Sequence, residues 1–206
     1  MDYFHYTYKH NHIDFSIYKV STYHYNWHGE TEILILLKGR IEMSCNSEVF
    51  TMEPLDSIII SPQVGHATLA LEEDTTALVI HVGKDFFQQF DPNFGMYQFV
   101  VRSDKSNRHN SFFTSLRHHA AMMMLIKANG ESPINRMWLE HHYLALASEV
   151  YDEINAVKSI HVHSKPVDMT VATFDKMIAY IDENYQQKIE LEDIAKIGGY
   201  NVNYTS

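Results

Sequence analysis

The sequence is poor in the residues that would place it in several common classes. It has one cysteine, Cys45, in 206 residues. That excludes an internal disulfide framework and any cysteine-based zinc cluster. Cations are scarce, with 16 Lys and Arg against 26 Asp and Glu and a formal charge of -10. A chain this acidic has no general attraction for phosphate, so it is neither a nucleic-acid coat nor a membrane-surface binder. Long apolar runs are missing too: Ile33–Leu37 and Met122–Ile126, even extended back to Ala120, are far from the ~18 residues of a membrane span. The opening MDYFHYTYKHNHIDF is polar and aromatic and lacks the apolar core of a signal peptide. These absences predict a cytoplasmic protein with no membrane partner.

What is present changes character near residue 105. Before it, short β-branched and aromatic runs are cut by turn residues. Ile13–Val20, Glu32–Leu37, Ile41–Ser44, Glu48–Met52, Ser57–Ile60, Thr68–Leu71 and Thr76–Val82 read as strands. Short strands at such regular spacing predict a sandwich or barrel. After Asn107 the apolar period becomes three and four. Phe113, Leu116, Ala120 and Met123 lie on one helix, roughly 109–129, and Leu139, Tyr143, Leu146, Val150 and Ile154 on another, roughly 134–157. Between them Gly130 suits a helix C-terminus, Ser132 an N-cap and Pro133 a first turn, so the helices are antiparallel neighbours. Residues 158–170 hold Pro166 and no periodicity and read as a linker. A third helix carries Val171, Phe174, Met177, Ile178 and Ile181 on one face, and a shorter one opens near Leu191.

Two parts of the sequence carry chemistry. In His24-Tyr-Asn26-Trp-His28-Gly-Glu-Thr-Glu32, alternate residues share one face of a strand, which gathers an amide, imidazoles and a carboxylate. Pro62-Gln-Val-Gly65-His66 supplies another imidazole. Such groups suit a small hydroxyl-rich ligand, or a divalent metal held by His28, Glu32 and His66. Trp27, Tyr23 and Tyr25 have the opposite parity and read as outer packing. Of the 14 histidines most lie at spacings that define no site. His118-His119 and His141-His142 are helix neighbours whose members point to different faces, so they read as solvated or packing residues. Near the end, Leu191-Glu-Asp-Ile-Ala195, three residues, then Gly199 has the form of a helix-turn-helix: a small residue where helices cross, a glycine in the turn, and Asn201 as the next N-cap.

These residues resemble known families. Asn26-x-His28, three residues, Glu32, six residues, Gly39 matches the spacing of the first cupin motif, with Asn26 where that motif has histidine. Pro62 and His66 resemble a loosened second motif. Asparagine is a poor ligand for iron, manganese or zinc, so the resemblance implies a barrel without a resident cofactor. Met177 to Tyr185, then Leu191–Ala195, Gly199 and Tyr204 resemble the opening of an AraC-type DNA-binding domain. The resemblance implies an α+β chain: a cupin-like β-barrel with N-terminal arm over 1–105, an antiparallel helix pair for dimerisation over 106–157, a linker over 158–170, and an incomplete helix-turn-helix domain over 171–206. That last stretch holds Lys176, Lys188 and Lys196 against Asp175, Asp182, Glu183, Glu190, Glu192 and Asp193, which is no DNA footprint by itself.

The function implied is a transcription regulator that senses a small polar metabolite such as a sugar, forms a homodimer, and meets DNA in the intact protein rather than through this fragment. It is not an enzyme. Asn26, His28, Glu32 and His66 are the expected pocket residues, with Arg40 and His81 as further candidates and the arm, residues 1–12, as a cover. Asn203 and Ser206 are the expected DNA contacts, and Leu139, Tyr143, Leu146 and Val150 the expected dimer contacts. The alternatives are a metal-dependent cupin enzyme, an isomerase or dioxygenase, and a ligand-free dimerisation module.

Overall fold

A computed structural model describes residues 6–10, 13–20, 24–46, 48–161, 176–177, 180–181, 184 and 186–199. The strands are β1 (Tyr6–His10), β2 (Ile13–Lys19), β3 (His24–Asn26), β4 (Glu30–Lys38), β5 (Ile41–Cys45), β6 (Glu48–Met52), β7 (Ser57–Ile60), β8 (His66–Ala70), β9 (Thr76–Gly83) and β10 (Val100–Arg102). Among the described residues the helices include α1 (Lys84–Gln88), α2 (Ser111–Ala128), α3 (Pro133–His161) and α4 (Leu191–Gly198), with a 3-10 turn at Phe94–Met96, and residues 176–177, 180–181 and 184 are also helical. The chain divides into two compact units, residues 1–163 and 164–206. Among the described residues no helix is long and apolar enough to cross a membrane.

In the first unit the strands form two antiparallel sheets, β1-β2-β9-β4-β7-β10 and β3-β8-β5-β6. This order, with sequence-distant strands side by side, is a double-sheet jelly roll of the cupin kind. Period-two alternation divides the larger sheet between two cores. On β4, Ile33 and Ile35 join Ile59, Leu78, Ile80 and Val82 on one face, packed with Phe113, Leu116, Leu139, Tyr143, Leu146 and Val150 of α2 and α3. The other face turns Leu34, Leu36, Ile58, Ile60, Ala77 and Val79 toward Ile41, Met43, Cys45 and Met52 of the smaller sheet. Each fully buried aliphatic or Phe side chain contributes about 1.5–3 kcal/mol relative to exposure. β4 is therefore apolar on both faces, which is why it reads as a continuous Ile-Leu run.

The helix pair follows its capping residues. Asn110 Oδ1 accepts from Phe113 N at 2.8 Å to open α2, Ser132 Oγ accepts from Asn135 N at 3.1 Å, and Pro133 is the first residue of α3. α3 continues to His161, four residues into the expected linker, because nothing before Pro166 forbids the helix.

Two further expectations change. Part of the arm expected as a cover, Tyr6–His10, is an edge strand paired with β2 from Tyr6↔Ile17 to His10↔Ile13. The expected dimer contacts Leu139, Tyr143, Leu146 and Val150 are at most 3% exposed and lie inside the first core. Their stripe is consumed against the larger sheet, leaving none of it for a second chain.

In the second unit α4 opens with a reciprocal capping box between Glu190 and Asp193 and ends at Gly199, whose φ of 70° is the left-handed conformation a helix-ending glycine adopts. Ala195 is its buried residue. Asn201, Asn203, Tyr204 and Ser206, together with 162–175 and the remaining arm residues 1–5 and 11–12, lie outside the described residues.

Candidate functional site

At one end of the sandwich four elements bring polar side chains onto a single carboxylate. Glu32 lies near the start of β4 on the face that turns Leu34 and Leu36 inward, and its side chain is 5% exposed. His81 is its cross-strand neighbour on β9, in register Glu32↔His81. His66 opens β8 in the opposite sheet, and His28 comes from the segment between β3 and β4. Glu32 Oε2 lies 3.0 Å from His28 Nε2, 3.3 Å from His81 Nε2 and 3.3 Å from His66 Nε2. The His28 ring packs edge-on against both others, centroids 5.3 Å from His66 and 5.0 Å from His81.

The protons follow from the partners. His66 Nδ1 lies 3.0 Å from the Val64 carbonyl, which only accepts, so that nitrogen carries a proton. A neutral ring would then present a bare lone pair from Nε2 to the carboxylate. A proton or another cation must therefore lie between His66 Nε2 and Glu32. Burial pushes the Glu32 carboxyl up, but the hydrogen bonds from His28, His66 and His81 outweigh it and hold the group well below the usual carboxylate range. Burial likewise disfavours charge on His66 and His81, yet Glu32 raises both above the ordinary imidazole value.

The walls are mixed. Asn26 and Cys45 flank His66 as its register partners on β3 and β5, so all three share one face of the smaller sheet. Burial and the charges of Glu32 and Glu48 push the Cys45 thiol up to about 11, so it is an inert apolar wall at neutral pH. Tyr18 bonds Thr68, and its hydroxyl is held protonated by burial and by Glu32. His28 Nδ1 and His66 Nε2 are sheltered from solvent without a hydrogen-bond partner among the described residues. His66 Nε2 faces Glu32 at 3.3 Å, within the cluster, whereas His28 Nδ1 lies on the far side of its ring, 3.6 Å from Glu30.

Of the expected pocket residues, His28, Glu32 and His66 come together, Asn26 stands beside His66, and His81 is a full member. Arg40 is not. It lies in the turn after β4, beyond six residues and about 20 Å of strand from Glu32, with Nε 2.5 Å from Glu72 and its side chain 51% exposed. For a metal, the ligand atoms of His28, Glu32 and His81 lie within 4.8 Å of one another, so His81 takes the place expected for His66. These donors suit a divalent transition cation with open positions. Tyr25 is 58% exposed on the outer side, beside Gly65, and Trp27 Nε1 donates to the Gln63 carbonyl at 3.1 Å, both as outer packing. Tyr23 lies outside the described residues.

No family model matches the chain, and no curated protein is significantly similar to it in sequence. Solved structures are similar in fold. The AraC-like transcriptional activator CuxR aligns with 96% of this chain and 70% of its own, at 10% identity and a TM-score of 0.55. Apo ToxT from Vibrio cholerae aligns with 93% of this chain and 72% of its own, at 9% identity and a TM-score of 0.51. The α+β architecture is thus shared with AraC-like activators.

Proposed function

We propose that the chain is the effector-binding and dimerising portion of a ligand-responsive transcription regulator, with the effector a small polar metabolite of the sugar class. The observation that carries the reading is the Glu32 carboxylate, buried, ionised and approached by three imidazoles at the mouth of an apolar sandwich. A carboxylate accepts from hydroxyls and imidazoles donate or accept, which is the complement of a polyol. Asn26, His28, Glu32, His66 and His81 are the assigned pocket. Support for a regulator comes from the fold shared with AraC-like activators and from α4 with its left-handed Gly199, the first half of a helix-turn-helix.

Regulation requires the effector to favour one arrangement of the dimer over another. The homodimer surface is reassigned to the outer faces of the helix pair, where Leu125, Ile134, Met137, Trp138 and Leu144 are 43–68% exposed. DNA contact belongs to the intact regulator, working in the cytoplasm, and the chain performs no catalysis.

Calorimetric titration with mono- and oligosaccharides, after metal analysis of the same sample, tests this. Saturable binding by metal-free protein, lost in His28→Ala and Glu32→Ala, is the expected result. The geometry of His28, Glu32 and His81 favours one second reading, a metal-dependent cupin enzyme. Stoichiometric metal held by those residues, with turnover and no sugar response, would replace the first reading by the second.

A further inference from the structure

The antiparallel packing of α2 and α3 brings together four histidines that sequence spacing leaves unrelated. His118 and His119 lie on α2, and His141 and His142 on α3. One of each pair turns inward: His142 is 7% exposed, and the His119 side chain is 14% exposed. Their Nδ1 atoms stand 2.9 Å apart. His118 and His141 are exposed beside them, with ring centroids 6.1 and 5.1 Å from that of His142.

Behind His119 stands Glu149. Its Oε1 is 3.7 Å from His119 Nε2 and accepts from Ser115 Oγ at 2.6 Å, while Oε2 is sheltered from solvent without a hydrogen-bond partner among the described residues. A carboxylate behind one ring nitrogen, with the other nitrogen aimed at a second imidazole, is the arrangement that orients a metal-binding histidine. The Glu149 charge, 3.7 Å away, favours the proton on His119 Nε2, so His119 Nδ1 accepts from His142 Nδ1, whose proton a bound cation would displace. Two imidazole nitrogens on a tetrahedral ion, each at ~2.0–2.1 Å, stand about 3.3 Å apart. The rings need only part by a few tenths of an ångström to admit one.

We propose that His119 and His142 are the ligands of a divalent transition cation of the zinc class, bound between the two helices, with Glu149 positioning His119 and with water completing the shell. The site is separate from the Glu32 cluster and does not depend on what that cluster binds. A cation there joins α2 to α3 at mid-helix, in the layer that packs on the larger sheet.

Zinc titration of the metal-stripped full chain tests the site, with Glu32→Gln and His28→Gln together silencing the other cluster. In that background one equivalent of zinc is expected to remain bound. Adding His142→Gln should weaken it at least tenfold, and Glu149→Gln about tenfold with stoichiometry retained. Absence of saturable binding in the background protein, or binding that His142→Gln leaves unchanged, overturns the proposal. Nitrogen-15 histidine spectra of the unmutated chain guard against a variant that fails to fold. Zinc should shift Nδ1 of His119 and His142 while His119 Nε2 stays protonated, and a response confined to other histidines overturns the assignment.

Discussion

Glu32 and His81 are direct cross-strand partners on β4 and β9, forty-nine residues apart in sequence and 3.3 Å apart between Oε2 and Nε2. The strand pairing thus sets the carboxylate beside an imidazole before any ligand arrives, and His66 joins from the facing sheet.

The pH dependence of this cluster has a definite sign. Glu32 sits below its ordinary 4.5, so its contribution to stability is present above that value and is lost as pH falls through the depressed folded value. His66 and His81 sit above 6.5, so their contribution is complete below 6.5 and is lost as pH rises through the raised folded values. The stabilisation is therefore greatest between about 4.5 and 6.5. Glu32→Gln removes the largest raising influence on both imidazoles and leaves burial opposed only by the Val64 carbonyl at His66 and by Asp14 and Glu30 at His81, so both titrations, followed by proton NMR, should move down. Unchanged histidine titrations in the variant would contradict the assignment.

Gly39 closes the turn from β4 to β5 with φ of 77°. A Cβ there would overlap Thr75 Oγ1 and stand 2.9 Å from the Thr75 Cα. The left-handed conformation alone costs a non-glycine residue about 1–2 kcal/mol. Because part of the overlap is with backbone, Gly39→Ala should lower urea-derived stability by more than about 2 kcal/mol. Gly29→Ala, with open space at its Cβ position, should change it by less than about 0.5 kcal/mol.

The strands and helices were legible because their periods are local. Alternation exposes β2, continuous apolar runs mark β4 and β9 as strands buried on both faces, and Gly130, Ser132 and Pro133 announce the helix ends. His28, Glu32 and His66 were legible as motif residues at fixed spacing. What could not be ranked depended on pairing between distant segments. His81 and Arg40 were both further candidates; His81 is a full member because β9 lies beside β4, and Arg40 leaves the cluster because parity places a residue on a face without saying how far along the strand it lies. The same limit hid the helix-pair histidines. Spacing shows that neighbours on one helix diverge, but only antiparallel packing shows that one from each helix meets its counterpart. Leu139, Tyr143, Leu146 and Val150 form a sound apolar stripe, and periodicity cannot tell a stripe that packs on its own sheet from one that meets a second chain.

That last ambiguity gives a prediction with two arms. Leu146 is fully buried in the first core, so Leu146→Ala should destabilise the fold by about 2–5 kcal/mol. Trp138 and Met137 are 52% and 68% exposed on α3. Trp138→Ser with Met137→Ser should leave the unfolding midpoint of the isolated chain nearly unchanged while shifting sedimentation from dimer to monomer. A dimer that survives both changes would move the interface to another surface.

Asp56 supplies a prediction about how the helix pair is tied to the strands. Its carboxylate, 4% exposed, meets Arg108 Nη2 at 3.0 Å, and Asp56 Oδ2 also accepts from Glu53 N at 2.8 Å. Arg117 of α2 reaches the same turn through the Leu55 carbonyl at 3.0 Å and holds the Arg108 carbonyl at 2.6 Å. Burial raises the Asp56 carboxyl even with the guanidinium beside it. Arg108→Met therefore leaves a buried carboxylate without its cation, which costs about 3–5 kcal/mol where a buried pair is broken from one side. The loss should shrink below pH 3.8, where the carboxyl is protonated in folded and unfolded chain alike. Asp56→Asn combined with Arg108→Met should recover most of it, because the amide oxygen still accepts from Glu53 N and no charge is left to desolvate. Denaturant unfolding of the two single variants and the double, at neutral and acid pH, measures the coupling. A double variant as unstable as Arg108→Met would show that the guanidinium acts through its contacts with the Pro54 carbonyl and Glu53 rather than through Asp56.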